Sequence, residues 1–123
     1  MEKKENYTIE LNDERGEIII SDEVIAVIAG LAAIEVDGVA SMAGDITKDL
    51  IGKLGKKATS KGVKVDVLEN VAKVVVSLNI KYGYNVMEVS EKVQDKVKVA
   101  VENMTGLTVS DVNIRVAGVA VEE

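Results

Sequence analysis

The stretch from Val71 to Tyr82 limits most severely what this chain can fold into. Ala72, Val74, Val76, Leu78, Ile80 and Tyr82 fall on one parity, while Val71, Lys73, Val75, Ser77, Asn79 and Lys81 fall on the other. A period of two places each set on one face of an extended strand. A one-residue slip would turn the whole apolar set to water, so the register of this strand is strongly specified. Just before it, Val63, Val65 and Val67 alternate with Lys64, Asp66 and Leu68, and Glu69-Asn70 separates the two runs. Two residues with an Asn, which tolerates positive φ, predict a tight hairpin turn.

A strand with one apolar face needs a second layer to cover it. Two segments can supply it. Ser21 reads as an N-cap, with Asp22 and Glu23 in the first turn, for a helix over about Asp22 to Val36. Val24, Val27, Ile28, Leu31 and Ile34 share one face of it. The opposite face carries Ala26, Ala29, Gly30 and Ala33 rather than charges, so the helix is apolar all round and buried on more than one side. Those four small residues allow close approach, either by another layer of the same chain or by a second subunit. The other helix spans about Val86 to Met104, with Val86, Val89, Val93, Val97, Ala100, Val101 and Met104 in one stripe and Thr105-Gly106 as its stop.

The remaining segments complete the order. Tyr7, Ile9 and Leu11 alternate in a short strand-like pattern, Asn12 to Gly16 is a polar turn, and Glu17 to Ile20 is a β-branched strand. Val39 to Met42 can be extended after Asp37-Gly38. Leu107 to Val116 reads as a last strand, interrupted by Gly118 before a short apolar tail. Between Gly44 and Lys61, Ile46, Leu50, Ile51 and Leu54 keep helical spacing, but Gly52 and Gly55 weaken it. A short marginal helix or a poorly ordered loop is expected there. The predicted fold is α+β, a two-layer α/β sandwich with a mixed or antiparallel sheet and two main helices, in the order β-α-β-(α)-β-β-α-β.

Composition narrows the chemistry. The chain has no Cys and no His, which removes disulfides, thiolate and imidazole catalysis, Ser-His-Asp triads and ordinary zinc or copper sites. The pairs Asp22/Glu23, Asp45/Asp49 and Glu88/Glu91 read as caps and solvated faces rather than as an acid–base dyad. Gly38 to Gly44 is rich in small residues but lacks the Gly-Lys-Ser/Thr of a phosphate loop. No catalytic residue, cofactor or metal site is assigned. The longest apolar run, Val24 to Ile34, has eleven residues, short of the roughly 20 that a membrane span needs. Mixed charge over Met1 to Asn6 argues against a secretory leader and makes a cytoplasmic location the expectation.

Charge is unevenly spread. The net charge is −6, yet Lys48, Lys53, Lys56, Lys57, Lys61 and Lys64 crowd between Gly44 and Lys64 against only Asp45 and Asp49. The plain reading is a solvated face; the functional one is a patch for an acidic protein, anionic lipid or a nucleic-acid backbone. Within it, Gly52-Lys53-Leu54-Gly55 has the Gly-x-x-Gly form with which KH modules clamp nucleic acid. Too few residues separate Gly55 from Gly62 for the helix that such a module needs, and exposed aromatics for stacking are few. A KH-like nucleic-acid module is therefore the alternative reading, and nucleic acid is not the expected partner.

Three blocks, in order and spacing, resemble one family. They are Gly16-Glu17-Ile18-Ile19-Ile20-Ser21 with Val24 to Ala29 and Glu35 to Val39; Lys81-Tyr82-Gly83-Tyr84-Asn85-Val86 leading to Val93-Gln94; and Glu102 to Val109 followed by Val112 to Val119. The chain is similar over about residues 16 to 120 to the alkaline shock protein family of Gram-positive bacteria, which also includes general stress proteins of enterococci. The resemblance implies residues 1–15 as an N-terminal extension and 16–123 as the family's domain. It also implies a non-catalytic cytoplasmic stress-response protein acting in cell-envelope homeostasis. Expected partners are a second copy of the chain and a membrane-anchored protein that recruits it to the inner face of the membrane. The face of Ala26, Ala29, Gly30 and Ala33 is the expected self-association surface, and the lysine segment the expected anionic-partner patch.

Overall fold

The computed structural model describes residues 9–12 and 17–121, with side chains from Ile19 onward. Of the sequence-based expectations, Tyr7 and positions 13–16 of the polar turn lie outside the described residues. The chain order is β1 (Ile9–Asn12), β2 (Glu17–Ile20), α1 (Asp22–Ile34), β3 (Val39–Met42), α2 (Lys48–Leu54), a 3-10 helix (Lys56–Gly62), β4 (Val63–Leu68), β5 (Val71–Lys81), α3 (Val86–Thr105) and β6 (Thr108–Ala120).

The long alternating strand is the centre of the sheet. Along one edge β5 pairs with β4, from Val63↔Val76 to Leu68↔Val71, and then with β3, from Met42↔Leu78 to Val39↔Ile80, both antiparallel. Its other edge is taken by β6, which runs parallel to it from Val71↔Thr108 to Lys81↔Ala120. The sheet is therefore mixed, the parallel pair being joined by the α3 crossover. β1 and β2 form a separate antiparallel pair.

Ala72, Val74, Val76, Leu78 and Ile80 are fully buried, while Val71, Lys73 and Lys81 on the other parity are exposed. Each buried Val or Leu side chain contributes roughly 1.5–3 kcal/mol of apolar transfer free energy, so a slipped register would forfeit several of these at once. The hairpin turn forms as its residues suggest: Glu69 has φ 51° and Asn70 φ 66°, the two left-handed positions of a type I′ turn.

Both helices lie on the apolar face. In α1 the Ser21 hydroxyl accepts from the Val24 N–H at 3.3 Å, with Asp22 and Glu23 in the first turn. The helix packs on β3, β4 and β5 and against α3. In α3 the Asn85 side chain accepts from the Glu88 N–H at 3.0 Å, and Gly106, at φ 77°, closes the other end. Only Val89, Val93, Val97 and Val101 of the predicted stripe are fully covered; Val86 and Met104, at its two ends, are exposed. α3 has 20 residues against 13 in α1, and helical spacing alone does not say which positions of the longer helix are covered. Tyr82, assigned by alternation to the inner face, lies beyond the end of β5 and is likewise exposed.

Two further expectations change. The Gly44–Lys61 stretch is organised: α2 is capped by Thr47, whose hydroxyl accepts from the Leu50 N–H, and the 3-10 helix buries Ala58, Thr59 and Gly62. Gly118 does not interrupt the last strand. β6 passes through it to Ala120, and the register shift between Leu78 and Asn79 on β5 absorbs the extra residue as a bulge.

Candidate interaction site

The four small residues of α1 are inside the chain. Ala29 and Ala33 have no exposed surface, Ala26 has 6%, and Gly30 is buried. What covers α1 at Gly30 is the chain's own 3-10 helix. A Cβ built on Gly30 would lie 2.6 Å from Thr59 Cβ and 2.7 Å from the Thr59 carbonyl oxygen. The fully buried Thr59 hydroxyl lies 2.8 Å from the Lys56 carbonyl and 3.4 Å from that of Val27, which satisfies it. Small residues serve here to let a second layer of the same chain approach.

The six lysines are all exposed. Lys57 pairs with Glu23 at 3.0 Å on the surface, an interaction worth about 1 kcal/mol or less. Gly52, Lys53 and Leu54 form the last turn of α2, and Gly55 is its C-cap at φ 95°. The Gly-x-x-Gly stretch is thus the end of a helix rather than a loop held open between two helices.

The surface that sequence reasoning missed lies at β6. Its outer edge pairs with no strand among the described residues. Such an edge presents a row of main-chain donors and acceptors, and proteins usually protect it with charge, Pro or a covering element. The chain contains no Pro, and from Val116 to Val121 the sequence Val-Ala-Gly-Val-Ala-Val has no charge. Val119 is 52% exposed and Val121 66%.

The β5–α3 connection brings more apolar surface to the same end. The Tyr82 N–H donates to the Ala120 carbonyl at 2.8 Å, tying the connection to the end of β6. Tyr82 is 72% exposed and Met87, in the first turn of α3, 69%; Tyr84, Val86 and Val116 are exposed as well. The uncharged run 116–121 and the position of Met87 off the buried stripe were the signals available. Without knowledge that β6 is an edge strand, neither distinguishes a surface from a core.

Two shallow open grooves flank these elements. One, of about 310 Å³, lies between α3 and the β6 edge and is lined by Gln94, Asp95, Lys98, Ser110, Asp111, Val112 and Asn113. The other, of about 190 Å³, runs between the α1–β3 connection and the start of α2, with Asp37, Lys48, Asp49 and Lys81 in its lining. Among the described residues no three Asp or Glu side chains gather as a metal-binding group, and every buried side-chain polar atom has a hydrogen-bond partner. No described helix is long and apolar enough to cross a membrane. The arrangement offers contact surfaces: an open strand edge, an apolar end and a basic face.

Comparison with known proteins agrees with the resemblance read from the three sequence blocks. Residues 10–121 match the model of the alkaline shock protein family, described as having a cell envelope-related function. The chain is 35% identical over 119 residues to protein YqhY of Bacillus subtilis (strain 168), covering 94% of this chain and 88% of that one. Protein YloU of the same strain is 40% identical over 116 residues, covering 93% and 97%. A stress response regulator gls24 homolog of Streptococcus pyogenes serotype M3 is 30% identical over 110 residues; the match covers 89% of this chain and 62% of that protein. Among solved structures, a variant of the MamM C-terminal domain superposes at a TM-score of 0.48 with 13% identity, over 82% of this chain and 95% of that one, too loose a likeness to argue from. With a family model matched from Glu10 to Val121 and relatives of this identity and coverage, the chain belongs to the alkaline shock protein family.

Proposed function

We propose that this protein serves the cell-envelope role of its family without catalysis, by holding other proteins: a second copy of itself and a membrane-anchored partner at the cytoplasmic face of the membrane. The observation that carries this reading is the open β6 edge together with the exposed apolar end formed by Tyr82, Met87, Val119 and Val121. Exposed apolar surface beside unpaired strand hydrogen-bonding groups is the chemistry of an interface, since an extended segment laid along it satisfies both. Support also comes from the family's envelope-related description and from relatives named as stress response regulators.

The test is complementation in the bacterium that encodes the protein. A deletion strain under envelope stress is supplied with the wild type or with a Val119→Lys, Val121→Lys double variant. Both positions are exposed, so the variant should fold with a stability change within about 0.5 kcal/mol. The expected result is normal abundance, reduced recovery with the membrane fraction and failure to restore stress tolerance. Full restoration by the double variant would refute the reading.

A further inference from the structure

The edge of β6 is not uniform. Register shifts fall between Ala72 and Lys73 and between Leu78 and Asn79 on β5, so on β6 the longest stretch in unbroken register is Asp111 to Val116. Bulges bend a strand, which makes Asp111–Val116 the longest straight part of the edge. Its open-face residues, opposite Lys73, Val75 and Ser77, are Asp111, Asn113 and Arg115. A negative and a positive side chain thus stand two residues to either side of Asn113.

The Gln94 amide donates to the Val112 carbonyl at 3.0 Å, which occupies one lone pair of that edge carbonyl and leaves the second for a paired strand. From α3 the groove beside this stretch is lined by Gln94, Asp95 and Lys98. Asp111 and Arg115 are both exposed, and among the described residues neither is in an ion pair. Among the described residues the Asp111 carboxylate accepts only from the neighbouring Ser110 hydroxyl, at 3.3 Å.

A charge pattern that changes sign about a point is complementary to its own copy turned by a two-fold axis through that point. Resting on the reading of β6 as a contact edge, we propose that a second copy pairs antiparallel along 111–115 of β6, with the two-fold axis at Asn113. Asp111 then faces Arg115 of the second copy, twice, on the open face of the sheet. The result is one continuous sheet across two chains with the helices of both on the same side, and the apolar end at Val119 and Tyr82 remains free for a different partner.

Asn113 would meet itself at the axis. Directly opposed residues of an antiparallel pair have Cα atoms about 4.5–5.5 Å apart, inside the range that a disulfide spans. The chain has no Cys, so a single Asn113→Cys is a clean probe. Mild oxidation of the full chain should give a covalent dimer, whereas Thr108→Cys, whose copies would lie roughly 33 Å apart along the pair, should not. In parallel, sedimentation velocity at low salt reads the charge pattern. Asp111→Arg or Arg115→Asp alone should weaken dimerisation roughly tenfold or more, and the two together should restore it.

Absence of the Asn113→Cys dimer, or equal crosslinking at Thr108→Cys, overturns the proposed axis. So does association indifferent to both single reversals, which leaves the contact role of β6 to be judged by the complementation test. If instead the crosslink forms and Val119→Lys, Val121→Lys still complements, the dimer stands while the role assigned to the apolar end falls.

Discussion

Replacing Gly30 by Ala puts the packing of α1 to a quantitative test. In an exposed helix interior this change stabilises by about 1 kcal/mol. At Gly30 the added Cβ would sit 2.6, 2.7 and 2.8 Å from Cβ, the carbonyl oxygen and Oγ1 of Thr59. One of these atoms is backbone and the residue is fully buried, so the neighbour cannot rotate away. Overpacking of this kind costs about 1–3 kcal/mol, and disturbing the Thr59 hydroxyl bonds adds about 1 kcal/mol. The net expectation is a loss of about 1–3 kcal/mol, or roughly 4–12 °C in the melting midpoint for a chain of this size. Gly52 supplies the control, because it too is helical and a Cβ there meets nothing within 4 Å. Gly52→Ala should gain about 0.5–1 kcal/mol. Thermal and urea unfolding followed by circular dichroism would read both. If Gly30→Ala is as stable as the wild type, or moves in the same direction as Gly52→Ala, the tight α1–3-10 contact described here is wrong.

Leu78→Ala, at a fully buried position facing the helices, should cost about 2–5 kcal/mol in urea unfolding; a loss under about 1 kcal/mol would show a poorly packed centre. Asn85→Ala removes the side chain that caps α3 and should cost about 1 kcal/mol by the same measurement. Glu69→Asn with Asn70→Gly places better residues at the two left-handed positions of the β4–β5 turn and should raise stability by about 0.5–1 kcal/mol in thermal unfolding. A decrease there would contradict the type I′ geometry.

The parts of the fold legible in the sequence are those set by local chemistry. Alternation from Val71 onward marked the central strand, Ser21 and Asn85 the helix starts, Gly106 the stop, and Glu69-Asn70 the hairpin turn. Less could be read where a residue's meaning depends on a distant neighbour. Gly118 signals a break in isolation, but opposite Asn79 it marks a bulge within a continuing strand. Gly52 and Gly55 made the segment after Gly44 look marginal, yet it is organised by packing on α1. Met87 and the 116–121 run were passed over because an apolar residue reads the same whether it faces a core or a partner.

By itself, then, the sequence determined that this chain has a one-faced strand, two capped helices and no Cys or His with which to do the common chemistry of those side chains, because periodicity, capping and side-chain chemistry are local properties. Only the tertiary structure decided that the Ala/Gly face of α1 is buried within the chain, with the 3-10 helix seated on Gly30, and that β6, paired on one side only among the described residues, carries the open surface. A strand's two faces are written in its alternation, but its two edges are made of backbone. Backbone is the same in every residue, so which edge stays unpaired is settled only when all the other strands have taken their places.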